Sequence, residues 1–483
     1  MSDSPFVKWI SDPIYDSIPL TQIEVDVIDT QAFQRLRHVG QLGLINLVFP
    51  SATYSRFTHS IGACHILGEI LERLDFDWRD GDKRHEWQKY RLAMLLHDVG
   101  HYFMSHATEH AGEKYYSELQ TSVENTTDSK EVTIQPNRIF LHHEQVGRQV
   151  LKEDAELVRV LEQHGFQPES IADVFTRSEQ SLFASLVSSD LDADRIDYLM
   201  RSSQATGLPY GFHDRDFILR NLEIVDNPSQ GDGDPVKFVC IKEKAVLAAD
   251  HFLLSRMFDY LQVIFQKVVV GFELMLKVAV QALLRTGDIS LEASDIARNI
   301  TDGTWHSMHD AWLWSKFREC LADPQCSLTD VERMCIQRLL NRKSPPLLYS
   351  YDSVQREGSQ EILSLHKSGF QNGVQRDEYL ANAALTWQPR PFNLMNAKTH
   401  SFTGEPSKNS EIEKVIRIST KNGPVPIFKV PHSIVGALGD SAYHMARVYY
   451  VGPDDGFDLA KTSMKKIVLD YELPGNVTEK IEP

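Results

Sequence analysis

Through most of residues 1–285, apolar side chains return every three or four positions, the spacing of amphipathic helices. Asp29 or Thr30 can cap a helix through A-F-Q-R-L-R-H-V. From Ser60, I-G-A-C-H-I-L-G-E-I-L-E-R-L predicts a second helix, and Tyr90 to His97 a third that ends at the pair His97-Asp98. Helices are expected again at 143–151, 154–164, 180–186 and, as one long element, 244–285. The polar stretch 121–137 reads as a loop over the site, and D-N-P-S-Q-G-D-G-D-P (226–235) as a turn cluster before a short strand at 237–241. Beyond Pro345 the pattern changes. K-V-I-R-I-S-T, V-P-I-F-K-V, R-V-Y-Y-V and K-K-I-V-L-D-Y read as strands, with a helix at 359–366. The expected fold is mainly α: a helical core at 1-285, a helical extension at 286-345 and a smaller C-terminal α+β unit at 346-483.

Composition narrows the function classes. The 483 residues are 42% hydrophobic and 24% charged, ordinary for a globular protein. A net charge of -17 argues against bulk nucleic-acid binding, which needs a basic footprint. It leaves open an anionic small molecule drawn to a metal and a few arginines. The five cysteines (Cys64, Cys240, Cys320, Cys326, Cys335) form no C-x-x-C pair and read as buried thiols in a reducing compartment. The most apolar stretch, 268–284, carries Glu273 and Lys277 and reads as a buried helix rather than a membrane span. With no apolar signal core at the N-terminus, the expected location is the cytoplasm.

The chemistry lies in an ordered series: His59 in R-F-T-H-S-I-G, His97-Asp98 in L-L-H-D-V-G-H, His143-Glu144 in L-H-H-E-Q, and Asp194 in D-L-D-A-D-R-I-D-Y. Adjacent residues on a helix point about 100° apart, so His97 and Asp98 can share one ion only at a helix end or with a tilt. Gly100 stands where such a helix could end. Two imidazoles and two carboxylates suit a divalent Fe, Mn, Ni or Zn ion with positions left for water.

These blocks, together with I-D-T-Q-A-F-Q-R-L-R-H-V-G-Q-L-G (28–43), resemble the HD-domain phosphohydrolases and, within them, the deoxynucleoside triphosphate triphosphohydrolases. The resemblance runs from about Lys8 to Glu273. It implies an HD helical core, metal ligands His59, His97, Asp98 and Asp194, and hydrolysis of dNTP to deoxynucleoside and inorganic triphosphate. Asp192 competes with Asp194; the D immediately before R-I-D-Y is the family's ligand position. Asp192 and Asp197 then read as structural carboxylates bonding nearby backbone. His143 and His106 match the family's general acid, His101 lies nearer the dyad, and Glu109 matches the acidic partner that orients such a histidine. His142 reads as solvent-facing.

For substrate, Arg56 matches a phosphate-contacting arginine, and Arg195, Arg256 and Lys267 match cationic positions; the last two read equally as a solvated helix face. Gln41 and Leu42 resemble residues that press on the sugar, and Tyr198 the aromatic beside deoxyribose. Asp29, Gln34 and Arg37 match a regulatory nucleotide site between subunits, or equally a helix cap with exposed polar positions. Mg2+ can accompany the nucleotide, and relatives form dimers that pair into tetramers, which implies a homo-oligomer here. Three positions depart from the family pattern: Ser202 replaces an Asp that contacts the sugar 3′-hydroxyl, and Ile264 and Gln266 replace Tyr and His. The departures keep two alternatives open, a phosphohydrolase of another nucleotide (ribonucleotide, monophosphate or modified) and a nucleotide-sensing assembly protein with little turnover.

Overall fold

The computed structural model describes residues 4–124, 139–176, 182–227 (apart from 184, 185 and 188), 236–356, 371–387 (apart from 382), 392–393, 415–438 and 441–478. It is mainly helical, as the hydrophobic spacing predicts, and divides into two compact units interleaved along the chain. The first joins Met1–Asp259, Ser290–Leu313 and Thr399–Gly436; the second joins Tyr260–Ile289, Trp314–Lys398 and Ala437–Pro483. The chain passes between the units after Asp259, Ile289, Leu313, Lys398 and Gly436.

In the first unit, an antiparallel hairpin of Phe6–Asp12 and Asp16–Thr21 precedes the helices. Thr21 and Glu24 form a reciprocal cap that starts the helix Gln22–Ile28. Thr30, not Asp29, accepts from Phe33 N and caps the short helix Gln31–Gln34. The helix Arg56–Arg73 begins four residues earlier than its apolar run suggested. It packs on the helix Arg84–Leu96 and on the helix Ala193–Thr206. Leu92, Leu95 and Leu96 are fully buried just before the His97-Asp98 pair, so the dyad is anchored by core packing. Truncating one such leucine to alanine costs about 2–5 kcal/mol. The helices His143–Glu153 and Ala155–Gln163 follow as expected.

Four strands complete this unit, in the order Leu222–Asn227, Val236–Lys242, Arg417–Thr420, Gly423–Pro426, with the middle pair parallel. The strand expected at 237–241 is therefore present. V-P-I-F-K-V is strand only through Pro426 and then turns as Ile427–Lys429.

The long helix expected over 244–285 is two helices. Val246–Asp259 runs into a wide turn, Tyr260–Ile264, and Lys267–Thr286 starts afresh. Gln266 forces the break: its side chain caps the new helix, accepting from Val268 N and Val269 N.

In the second unit, Ser441–Tyr450 is the central strand, flanked by Leu347–Arg356 and Ala384–Trp387. K-K-I-V-L-D-Y is not a strand; it lies in the helix Phe457–Asp470 and the turn after it. Phe457, Ala460, Met464 and Ile467 recur at helical spacing and bury against Leu348 and Val448. Cys320 and Cys326 form a disulfide rather than two thiols, because the turn after the helix Asp310–Ala322 brings their Cα atoms to 5.7 Å. Cys64, Cys240 and Cys335 are buried thiols as expected. Residues 125–138 and the expected helix 359–366 lie outside the described residues, as does much of 180–186. Among the described residues, no helix is long and apolar enough to cross a membrane.

Candidate metal centre and its acid–base neighbours

Three separate elements bring the four sequence-predicted ligands together. His59 lies in the first turn of the helix Arg56–Arg73. His97 is the C-cap of the helix Arg84–Leu96, and Asp98 follows it. The dyad therefore sits at a helix end, as two adjacent ligands require. Asp194 is in the first turn of the helix Ala193–Thr206, whose N-cap is Asp192. Asp192 accepts from Ser189 N and Arg195 N, the backbone role expected of it.

The donor atoms converge. His59 Nε2 stands 2.9 Å from Asp194 Oδ1 and 3.9 Å from Asp98 Oδ2. His97 Nε2 stands 3.3 Å from Asp98 Oδ1 and 3.9 Å from Asp194 Oδ1. Both rings are tied on the far side. His97 Nδ1 donates to the Met94 carbonyl (2.7 Å) and His59 Nδ1 to Asp197 Oδ2 (2.8 Å). Neither partner can donate, so each Nε2 turns its lone pair inward. Among the described residues, the buried His59 Nε2 makes no well-aligned hydrogen bond, although an Asp194 oxygen stands beside it. An orphaned nitrogen facing carboxylate oxygens is the environment a divalent cation satisfies, and the donor set fits one. Without a cation, burial disfavours a charged His59, yet the Asp194 and Asp197 carboxylates outweigh it and raise its pKa to about 10. Burial works against the Asp194 anion in the same way, but His59 prevails and lowers its pKa to about 2.

A second cluster adjoins the first. His101 Nε2 lies 3.2 Å from Asp98 Oδ1, and its ring stacks on His143 at 3.9 Å between centroids. His143 donates from its backbone N–H (2.9 Å) and from Nδ1 (2.9 Å) to Glu109 Oε1. His106 Nδ1 donates to Glu109 Oε2 (3.0 Å). The buried Glu109 thus holds both histidines that the sequence offered as the acid. Burial opposes its charge, but His106 and His143 hold its carboxyl well below the ordinary range. His101 is fully buried and kept neutral by burial, by Arg56 and by His143. Half-exposed His142 also reaches Glu109 (3.2 Å). Gly100 brings the two clusters together. A Cβ there would stand 2.1 Å from Gly147 N and 2.2 Å from the His143 carbonyl.

The substrate candidates are more scattered. Arg56 is buried, with Nη1 on Asp98 Oδ2 (2.6 Å) and Nε on Ser105 Oγ (2.9 Å), so it orients a ligand carboxylate. Asp190 bridges Arg195 (3.2 Å) and Arg256 (3.6 Å). Tyr198 follows Asp194 by one helical turn. Gln41 N donates to the Tyr54 carbonyl, and its buried Oε1 has no partner; Leu42 follows it and opens the turn Gly43–Leu47. Lys267 opens a helix of the second unit. Of the regulatory trio, Arg37 donates to Gln34 Oε1 (2.7 Å) and stacks over Phe57, Gln34 donates to the Ile28 carbonyl, and Asp29 is exposed.

Asp197 departs from the sequence reading. Its partners are His59 and Arg201, not backbone. Asp310 accepts from Gly40 N (2.9 Å) and Met104 N (2.7 Å), tying these two loop positions together. No motif marks it, and only the return of 290–313 to this unit explains it.

The HD domain family model matches residues 56–198, the span holding all four proposed ligands. An uncharacterized protein of Methanocaldococcus jannaschii is 31% identical over 291 residues, 60% of this chain and 52% of that one. The deoxynucleoside triphosphate triphosphohydrolase SAMHD1 homologue of Dictyostelium discoideum is 30% identical over 214 residues, 41% of this chain and 37% of its own. The structure of a phosphohydrolase from Bacteroides thetaiotaomicron is similar with a TM-score of 0.61 at 20% identity, covering 92% of this chain and 99% of that one; this is a likeness of fold. The chain spans about half the length of the first curated relatives it matches. It carries an HD domain at residues 56–198 and resembles the deoxynucleoside triphosphate triphosphohydrolase branch of the HD-domain phosphohydrolases.

Proposed function

We propose that the protein is a metal-dependent phosphohydrolase that converts a dNTP to deoxynucleoside and inorganic triphosphate. The observation that carries this is the adjacency of two clusters, a candidate cation site of His59, His97 and Asp98 with Asp194 beside it, and histidines tethered by a buried carboxylate. His59, His97, Asp98 and Asp194 would hold the ion. A bound Fe, Mn, Ni or Zn ion would activate water and screen phosphoryl charge. Arg56 fixes Asp98 and adds positive charge beside it. In the reaction, water oxygen bonds to the α-phosphorus, the bond to the 5′-oxygen breaks, that oxygen takes a proton from His143 or His106, and the proton the water gives up replaces the one the ring lost. Glu109 accepts a hydrogen bond from Nδ1–H of each ring, so Nε2 is the atom that exchanges a proton with substrate.

Ser202 supports a second reading. It is fully buried and shares a 2.9 Å hydrogen bond with Tyr54 Oη, so the charge that an aspartate would offer a sugar hydroxyl is absent. A ribonucleotide, monophosphate or modified nucleotide is then the substrate. A cytoplasmic homo-oligomer with a regulatory nucleotide at Asp29, Gln34 and Arg37 belongs to the same proposal. The test is incubation with each dNTP and its ribonucleotide counterpart, Mn2+ present. Triphosphate release from dNTPs supports the first reading and ribonucleotide preference the second. No product from any nucleotide sinks both.

A further inference from the structure

His59 is held by more than its own helix. Asp197 Oδ2 accepts from its Nδ1 at 2.8 Å, and both side chains are wholly shielded from solvent. Arg201, one turn along from Asp197, donates from Nε to both carboxylate oxygens (3.0 and 2.8 Å). Its Nη2 lies 2.9 Å from Asp12 Oδ2, at the end of the first hairpin strand. The helix Arg56–Arg73 is shaped to admit this pair. A Cβ on Gly62 would stand 2.0 Å from Asp197 Oδ1 and 2.2 Å from Arg201 Nη2. Four residues from three elements thus form one buried line: Asp12, Arg201, Asp197, His59.

Packing alone gives this line no reason to exist. Burying an ion pair costs desolvation that its attraction often fails to recover. Arg201 already has Asp12, so Asp197 is not needed to neutralise it. Besides the Tyr15 phenol, Asp197 also meets His59, whose other nitrogen faces Asp194 and Asp98. We propose that Asp197 is a positioning residue for the metal ligand His59. It keeps the proton on Nδ1 and fixes the ring plane so that Nε2 faces the ion, while Arg201 and Asp12 hold Asp197 in place. This rests on the cation site proposed above.

The test is the affinity of the full chain for Mn2+, measured by calorimetry on wild type and Asp197→Ala. Loss of a group that orients a ligand typically weakens metal binding about 10–100-fold, and that is the expected result. A merely structural role would lower melting temperature and leave the affinity of the folded protein unchanged, which overturns the inference. Wild type that binds no ion overturns the cation site itself, and this inference with it. Should the variant not fold, nitrogen NMR of the Zn2+-loaded wild type decides. A protonated, hydrogen-bonded His59 Nδ1 supports the proposal; a proton on Nε2 overturns it.

Discussion

At the scale of single residues, Glu109 tests the division of labour between the two clusters. Replacing it with Gln puts an amide NH2 where one oxygen accepted, so one Nδ1 proton loses its acceptor. Tethered general acids contribute roughly 10²–10⁴-fold to rate. Glu109→Gln is expected to lower kcat by at least about 10²-fold with bound metal unchanged. A loss of metal alongside activity would show that the clusters are not separable. The same residue sets a pH dependence. Its carboxyl is held low, so its contribution to stability is complete above the unfolded value near about 4.3 and is lost as pH falls below it. The melting-temperature gap between wild type and Glu109→Gln should therefore hold from pH 7 down to about 5 and shrink as pH falls from about 4 to about 2 on a calorimetric series. Asp259 behaves oppositely. Buried with one oxygen lacking a partner, it is pushed up to about 7 by burial, which outweighs Arg256. The folded state binds that proton more tightly, so stability is lost as pH rises through about 7. Asp259→Asn should gain on the order of a few kcal/mol at pH 8 and little at pH 4; an equal effect at both would refute it. The four proposed ligands stand out in the sequence because a metal site needs specific donor atoms in a fixed order. Asp197 and Asp259 do not, since a carboxylate's partner depends on packing between distant helices.

At the scale of elements, glycine decides how closely two of them meet. Gly100 lets the turn after the dyad lie against the backbone at Gly147, where an added Cβ would meet main-chain atoms that cannot rotate away. Overpacking usually costs about 1–3 kcal/mol, and here relief requires separating the dyad turn from the His143 helix. Gly100→Ala should lower stability by at least that amount and weaken catalysis together with the His101–His143 stack. A variant that melts and turns over like wild type would mean the two elements are free to slide. Periodicity made most helices legible. It failed at two places for local reasons. The apolar run across 244–285 hid the cap that Gln266 provides, and K-K-I-V-L-D-Y looked strand-like only when cut from the preceding F-D-L-A-K-T-S-M.

At the scale of the whole molecule, the HD unit is not a continuous stretch of chain, and no hydrophobic pattern announces that residues 290–313 return to it. The return brings several specific contacts. Asp310 receives Gly40 N and Met104 N, the Met308 carbonyl receives the buried Arg35, and His306 meets Asp154 at 2.7 Å. Arg35 shows why this matters. It is buried over Trp305 at 4.0 Å, and the Met308 carbonyl takes both Nε and Nη2. Removing the segment strands a buried cation, a loss of about 3–5 kcal/mol by analogy with broken buried pairs, against a total stability of only about 5–15 kcal/mol. A chain ending at residue 285 is therefore expected to lack a cooperative melting transition and to bind Mn2+ poorly, although it retains every proposed ligand. Circular dichroism melting of that fragment beside the full chain checks this. A sharp transition and full metal affinity in the fragment would mean that the ligands, and not the returning segment, hold the site together.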